Sequence, residues 1–396
     1  MISKKLQRAR DFENKYSAYV AEELPKFHVT APIGWINDPN GFAPYQGEYH
    51  LFYQNYPYDT KWGPMHWGHV KTKDFIKWER LPIALAPDAD YDKDGCFSGS
   101  AVEMPDGRHL LMYTGVRNVR RKNGKIDSFQ TQCIAIGDGV NYEKYPANPV
   151  IPTEQIPEGG STTDFRDPKI WLENGTYYMV VGNRTPDTSG TILYFKSDDC
   201  IHWEFISKLA SCHNQYGKMW ECPDFFTLDG KQVILTSPQE MNAIGLEFHP
   251  GNANLALIGV FNDRKDHLLR DNVQAIDYGL DFYAPQTLKA YDGRRVMVAW
   301  MQNWETCGSH LPQQRFMGQM TLPRELSIRN GRLCQQPVRE LEHYRVNKTG
   351  YQNVMMTGET SLQGINGRFI DMTVTIRPGN DDSMYLSLIH ISEPTR

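Results

Sequence analysis

The chain has 396 residues, 40% hydrophobic and 22% charged, which is long and apolar enough for one large core and a smaller domain. A formal net charge of −5 offers no broad basic field, so nucleic acid and anionic membrane surfaces are not expected partners. No apolar run is long enough for a membrane span or a secretory leader, and the seven cysteines are scattered without a CxxC pair, so the expectation is a cytoplasmic protein with reduced thiols.

Taken in chain order, Leu6, Ala9, Phe12, Tyr16 and Val20 recur at helical spacing among charged residues, predicting an amphipathic helix within an N-terminal segment, residues 1–24. A strand, a Gly turn and a second strand then recur five times between residues 25 and 335. The copies run from Asn37-Asp38-Pro39 to Gly47, from Phe97-Ser98-Gly99 to Gly107, from Arg166-Asp167-Pro168 to Gly175, from Glu221-Cys222-Pro223 to Gly230, and from Tyr283-Ala284-Pro285 to Gly293. Three turns read Asp-Gly and one Asn-Gly, the strongest short hairpin signal because the tight turn needs positive φ. With Asp38, Ser98, Asp167, Glu221 and Ala284 set as equivalent, each lies 8 or 9 residues before its turn glycine. Asp74 to Trp78 and Asp199 to Trp203 form a second echo, 125 residues apart. Repeats of about 60 residues, each large enough for a four-stranded sheet, predict an all-β fold with a five-bladed β-propeller.

In a propeller, matched positions converge on the central axis. Asp38, Asp167 and Glu221 would then face one another, a crowding of like charge that is costly unless chemistry uses it. Hydrolysis of a glycosidic bond needs two carboxyl groups, one to protonate the leaving oxygen and one to attack the anomeric carbon or to activate water.

The segments WINDPNG at 35–41, FYQNYP at 52–57, WGPMHWGH at 62–69, FSGSA at 97–101, FRDPK at 165–169, ECPD at 221–224, DFYAPQ at 281–286 and MTLPREL at 320–326 resemble, in this order, the sucrose hydrolase or invertase family of β-fructofuranosidases, glycoside hydrolase family 32. The resemblance covers about residues 25–340. It implies cleavage of the terminal fructosyl bond of sucrose or sucrose 6-phosphate with retention of configuration. Asp38 would be the nucleophile, Glu221 the general acid/base, and Asp167 the transition-state stabiliser, with Arg166 ordering and partly neutralising the carboxylates. Cys222 either tunes the neighbouring carboxyl through its polarizable S–H or packs as a buried thiol.

The expected pocket for one fructosyl unit has Asn37, Gln54 and Ser98 as polar contacts and Trp35, Trp62, Phe97 and Trp300 as walls, with Arg166 beside the carboxylates. His66 and His69 lie three apart in a β-region without further ligands, so no metal is expected, and the lack of a Gly-rich phosphate loop implies no cofactor. The expected partner is a small sugar, and no oligomeric state is assigned. Fructan hydrolases and fructosyltransferases share the carboxylates and stand as the alternative within enzymes; a sugar-binding propeller without catalysis explains the aromatics but not three acids.

Beyond residue 340 the pattern shifts to short alternating segments such as residues 369–376, which resembles the opening of the β-sandwich that follows the propeller in the family, here incomplete over residues 340–385. The last eleven residues, 386–396, read as a translated sequencing adapter, so the natural gene is expected to continue.

Overall fold

The computed structural model describes residues 2–308, 314–355, 360–365, 369–375 and 377. Each predicted hairpin forms the first two strands of a separate antiparallel sheet. Blade one holds β1 (Gly34–Tyr45), β2 (Glu48–Tyr56), β3 (His66–Thr72) and β4 (Glu79–Leu85). Blade two holds β5 (Gly95–Glu103), β6 (His109–Arg120), β7 (Ile126–Gly137) and β8 (Tyr142–Lys144), and blade three β9 (Arg166–Glu173), β10 (Thr176–Arg184), β11 (Gly190–Ser197) and β12 (Glu204–Ser211). Blade four holds β13 (Met219–Leu228), β14 (Lys231–Gln239), β15 (Leu255–Phe261) and β16 (Leu268–Ala275). Blade five starts with β17 (Tyr283–Lys289) and β18 (Arg295–Trp300); the chain then sends β19 (Phe316–Met317) to pair in parallel with β1 before returning for β20 (Arg324–Arg329) and β21 (Arg332–Pro337). The first strands β1, β5, β9, β13 and β17 pack against one another in sequence, and β17 closes on β1. The five-bladed propeller expected from the repeat is therefore present.

Turn chemistry explains why the hairpins form where they do. Gln46-Gly47, Asn174-Gly175 and Asp229-Gly230 have positive φ at both residues, as a two-residue hairpin turn demands. At Asp106-Gly107 and Asp292-Gly293 only the glycine does, because these loops are longer: Gly107 N–H donates to Met104 O and Gly293 N–H to Ala290 O, with the glycine as the left-handed residue that returns the strand. The Asp74 and Asp199 echoes are one device used twice. Asp74 Oδ1 accepts from the backbone of Ile76 and Lys77, and Asp199 Oδ1 from Ile201 and His202, turning the chain from β3 into β4 and from β11 into β12.

The core lies between blades. Leu110, Met112, Phe165, Met179 and Phe195 join blades two and three, and Ile192, Trp220, Phe225, Ile234 and Leu257 join blades three and four. Full burial of one such side chain contributes about 1.5–3 kcal/mol, so each blade is held chiefly by its neighbours. All seven cysteines are free thiols.

Helix α1 spans Lys4–Tyr16, capped by Ser3 Oγ accepting from Leu6 N–H, and buries Leu6, Ala9, Arg10 and Glu13. It is shorter than the predicted pattern, which runs to about residue 24: after Tyr16 the chain tightens into a 3₁₀ turn at Ser17–Tyr19. Arg10 pins it to blade one through Ile83 O and to blade two through Asn141 Oδ1. No helix among the described residues is long and apolar enough to cross a membrane.

Three buried histidines stack between blades one and two. His50 Nδ1 and His69 Nε2 share a 2.9 Å hydrogen bond, His109 Nδ1 meets Tyr142 Oη at 2.8 Å, and Phe52 stacks on His69 at 3.9 Å. Burial lowers the pKa of His50 from 6.5 to about 4 and pulls His69 and His109 down as well. Depressed histidines stabilise the fold fully above their unfolded value near 6.5, and that contribution is lost as pH falls from there through about 4. Between pH 7 and pH 5 this loss is opposed by Glu13 and Asp167, both raised to about 7, which gain stability over the same range. The histidine share is read by calorimetry: from pH 7 to pH 5 the unfolding midpoint of His109→Phe should fall less, or rise more, than that of wild type. An identical pH response of the two proteins contradicts this account.

The chain forms two compact units, Met1–Glu340 and Leu341–Arg396. In the second unit, the described residues 369–375 of the alternating segment form no strand, and Phe369, Ile370, Met372 and Val374 are exposed. A period-two pattern makes a strand only where a partner takes its backbone hydrogen bonds. The adapter-like residues 386–396 lie outside the described residues.

Candidate active site

Every first strand carries a β-bulge at the same height. Pairing with the second strand slips between Ile36 and Pro39, Phe97 and Gly99, Arg166 and Lys169, Glu221 and Asp224, and Tyr283 and Gln286. A bulge adds a residue to one strand and re-aims its side chains. In four blades a proline stands inside or directly after it, at Pro39, Pro168, Pro223 and Pro285, where no ladder hydrogen bond is required. Asp167, Cys222 and Ala284 sit in the left-handed region, with φ of 67°, 49° and 52°. Such backbone costs about 1 kcal/mol or more outside glycine and concentrates at functional sites.

The bulges correct the register read by counting back from the turn glycines. Within the bulges Cys222 matches Asp167 and Ala284, at the place where blade one has Asn37 with Asp38 next to it, while Glu221 matches Arg166 and Tyr283 one position earlier. Two adjacent layers result, and hydrogen bonds follow them. Arg166 Nε donates to Glu221 Oε1 at 2.9 Å and Tyr283 Oη to Oε2 at 2.6 Å. Cys222 Sγ lies 3.5 Å from Asp38 Oδ2 and 3.6 Å from Asp167 Oδ2, and its N–H donates to Asp167 Oδ2 at 2.9 Å.

Ser98 Oγ donates to Asp38 Oδ2 at 2.6 Å, leaving Oδ1 without a well-aligned hydrogen bond among the described residues. Burial, and then the charge of Glu221, raise the pKa of Asp38, while hydrogen bonds from Ser98, Asn37 and Cys222 work the other way. Burial and Glu221 also push Asp167 up to about 7, against the pull of Arg166. The Cys222 thiol is driven up by burial and by the Asp167 and Asp38 charges, so it stays protonated and able to donate. Although burial works against its charge, Glu221, Asp167 and Asp164 hold Arg166 above its ordinary value.

The predicted pocket residues divide into two groups. Asn37 lies beside Asp38 and accepts from Trp35 Nε1 at 2.7 Å; Gln54 Nε2 donates to Cys96 O at 3.0 Å, and Phe97 flanks Ser98. Trp62 is 48% exposed and meets the Phe97 ring edge-on at 5.9 Å, so it stands outside Phe97. Trp300, by contrast, is 0% exposed, with Trp35 at 5.9 Å and Trp304 at 5.0 Å, and serves as the support behind Trp35. His66 meets Pro64 O whereas His69 meets His50, so the two share no ligand position.

Residues that sequence reasoning did not single out complete the site. Asp164 accepts from Arg166 Nη1 at 3.1 Å and from Arg184 Nη2 at 2.9 Å. Gln130 Oε1 and Gln239 Oε1 each accept from Arg166 at 3.3 Å, and Thr114 Oγ1 accepts from the Asp167 N–H at 2.9 Å. Gly182, opposite the blade-three bulge, lets blade four approach: a Cβ there would stand 2.5 Å from Trp220 O. Only Tyr283 had a visible signal, its place beside Ala284 in the repeat.

Comparison with known proteins adds relatives to this geometry. Residues 28–337 match the model of the glycosyl hydrolases family 32 N-terminal domain. A sucrose-6-phosphate hydrolase of Zymomonas mobilis is 40% identical over 357 residues, covering 86% of this chain and 67% of the relative. One from Escherichia coli is 42% identical over 324 residues, covering 81% and 66%. The chain thus spans about two thirds of these relatives' length. Among solved structures, a Bombyx mori GH32 beta-fructofuranosidase superposes with a TM-score of 0.77 at 38% identity, over 86% of this chain and 72% of that one. The propeller, its bulged acidic centre and these matches together place the chain in glycosyl hydrolase family 32.

Proposed function

We propose that the chain is a retaining glycoside hydrolase that releases the terminal β-D-fructofuranosyl unit of sucrose or sucrose 6-phosphate through a fructosyl-enzyme intermediate. The observation that carries the reading is the asymmetry of Asp38: Oδ2 is held by Ser98 and Cys222, and Oδ1 is left for attack. In the first step Asp38 Oδ1 bonds to the anomeric carbon as the bond to the glucosyl oxygen breaks and Glu221 passes its proton to that oxygen. In the second, Glu221 takes a proton from water, whose oxygen replaces Asp38 on the same carbon.

The electrostatics support this division of labour. While Glu221 holds a proton, the charge that raises Asp38 is absent, and the nucleophile ionises more readily. Once Glu221 has lost it, the negative charge of Asp38 has been consumed in the ester. The crowded carboxylates therefore never need to be charged together at full strength. Asp167, fixed through Cys222 N–H and Thr114, would accept hydrogen bonds from fructosyl hydroxyls as positive charge develops on the ring.

The names of the sucrose-6-phosphate hydrolases it resembles favour sucrose 6-phosphate as the preferred substrate. Wild-type enzyme should hydrolyse both sugars, with kcat/KM for sucrose 6-phosphate higher by about tenfold or more, the worth of one charge-assisted hydrogen bond. Equal values would assign the chain to sucrose. Activity on neither would remove the reading.

A further inference from the structure

Below the carboxylates the axis holds a second polar layer. Side chains two residues apart on a strand share a face, so the residues that follow each bulge face the axis again. They are Asn40, Ser100, Lys169, Asp224 and Gln286, with Thr287 beside the last, all buried. Hydrogen bonds run between blades rather than within them. Gly99 N–H donates to Asn40 Oδ1, Ser100 Oγ to Pro168 O, Gln286 Nε2 to Gly99 O, and Phe42 N–H to Gln286 Oε1.

The tightest part joins blades three, four and five. Lys169 Nζ lies 3.1 Å from Asp224 Oδ2 and donates to Thr287 O at 2.7 Å, while Thr287 N–H donates to the same Asp224 oxygen at 2.5 Å. Lys169 is two residues beyond Asp167, Asp224 is three beyond Glu221, and Thr287 is four beyond Tyr283. A buried ion pair loses in desolvation much of what it gains in attraction, and apolar residues of similar volume often replace one without loss of stability. Stability alone is therefore a poor reason for this pair. What it supplies is direction and register, because three strands are tied at one point directly beneath the groups they carry.

We propose that Lys169 and Asp224 are positioning residues for the hydrolytic reaction: their ion pair, closed by Thr287, locks β9, β13 and β17 at one height so that Asp167, Glu221 and Tyr283 meet above it. The inference rests on the site reading given under Proposed function. A shift of about 1 Å far from the reacting atoms can cost on the order of a hundredfold in rate, and such a loss falls on the transition state rather than on ground-state binding.

The test compares Asp224→Asn, which removes the charge and keeps the shape, with the apolar pair Lys169→Met/Asp224→Leu, which removes both charges of the pair together. Sucrose hydrolysis is measured well below each variant's melting temperature. The tie predicts kcat lowered about ten- to a hundredfold in both, with KM within about twofold of wild type, including in the apolar variant if its melting temperature returns to the wild-type value. A merely structural pair predicts that kcat recovers with stability. Wild-type kcat in either folded variant overturns the proposal, whereas wild-type enzyme inactive on both sucrose and sucrose 6-phosphate removes the site reading on which it stands.

Discussion

Asp38→Asn should lower kcat for sucrose by about 10⁴-fold, the scale on which loss of a nucleophile is felt when other site groups remain, and should at the same time raise the melting temperature at neutral pH. The two effects share one cause. Asp38 is buried beside Glu221, and both features raise its pKa, so its ionised form is disfavoured in the folded state. A carboxyl raised in this way contributes stability at low pH and loses it as pH rises through its folded value. The neutral amide removes that penalty and can still accept from Ser98 Oγ, which now stands 2.6 Å from Oδ2. Differential scanning calorimetry with initial-rate kinetics checks both halves. A variant that keeps more than about a tenth of wild-type kcat would remove Asp38 from the role of nucleophile.

The second large effect is expected at Glu221. Its two oxygens are held by Arg166 and Tyr283, and both donors keep other partners when the carboxyl is gone: Arg166 retains Asp164, and Tyr283 Oη lies 3.3 Å from Ser237 O. Glu221→Ala should therefore fold. It should lose about 10³-fold or more in kcat, because an alkoxide-like glucosyl oxygen would have to leave without a proton and water would have to attack without a base. Azide needs no base, so with β-D-fructofuranosyl fluoride, whose leaving group needs no acid, it should raise the turnover of Glu221→Ala and leave Asp38→Asn unchanged. Equal insensitivity of both variants to azide would argue against the acid/base role.

Much of this site is legible in the sequence, for a physical reason. Tight turns need glycine, bulges tolerate proline, and both leave a trace every 60 residues or so, from which blade number and the strands bearing Asp38, Asp167 and Glu221 follow. The exact height of each side chain leaves no such trace. Counting from Gly230 puts Glu221 level with Asp167, but turn length differs between hairpins and each bulge adds a residue, so Cys222 takes that level and Glu221 joins Arg166 and Tyr283. Asp164, Gln130 and Gln239 reach Arg166 from separate strands and loops, which only the folded chain brings together. Trp300 carries the composition of a sugar-facing wall, yet Trp35 and Trp304 enclose it, a packing outcome that no local pattern encodes.

The central claim is that Asp38 and Glu221 divide the two halves of a double displacement across the propeller axis. Without a base at position 221 the second half slows, while β-D-fructofuranosyl fluoride, whose leaving group needs no proton from that position, still completes the first, so the covalent intermediate should accumulate when Glu221→Ala is mixed with this fluoride and quenched in acid. Mass spectrometry of the digested protein is predicted to find one anhydrofructosyl unit on the peptide that contains Asp38. A fully unmodified peptide, under conditions where the variant still turns over, would contradict the account.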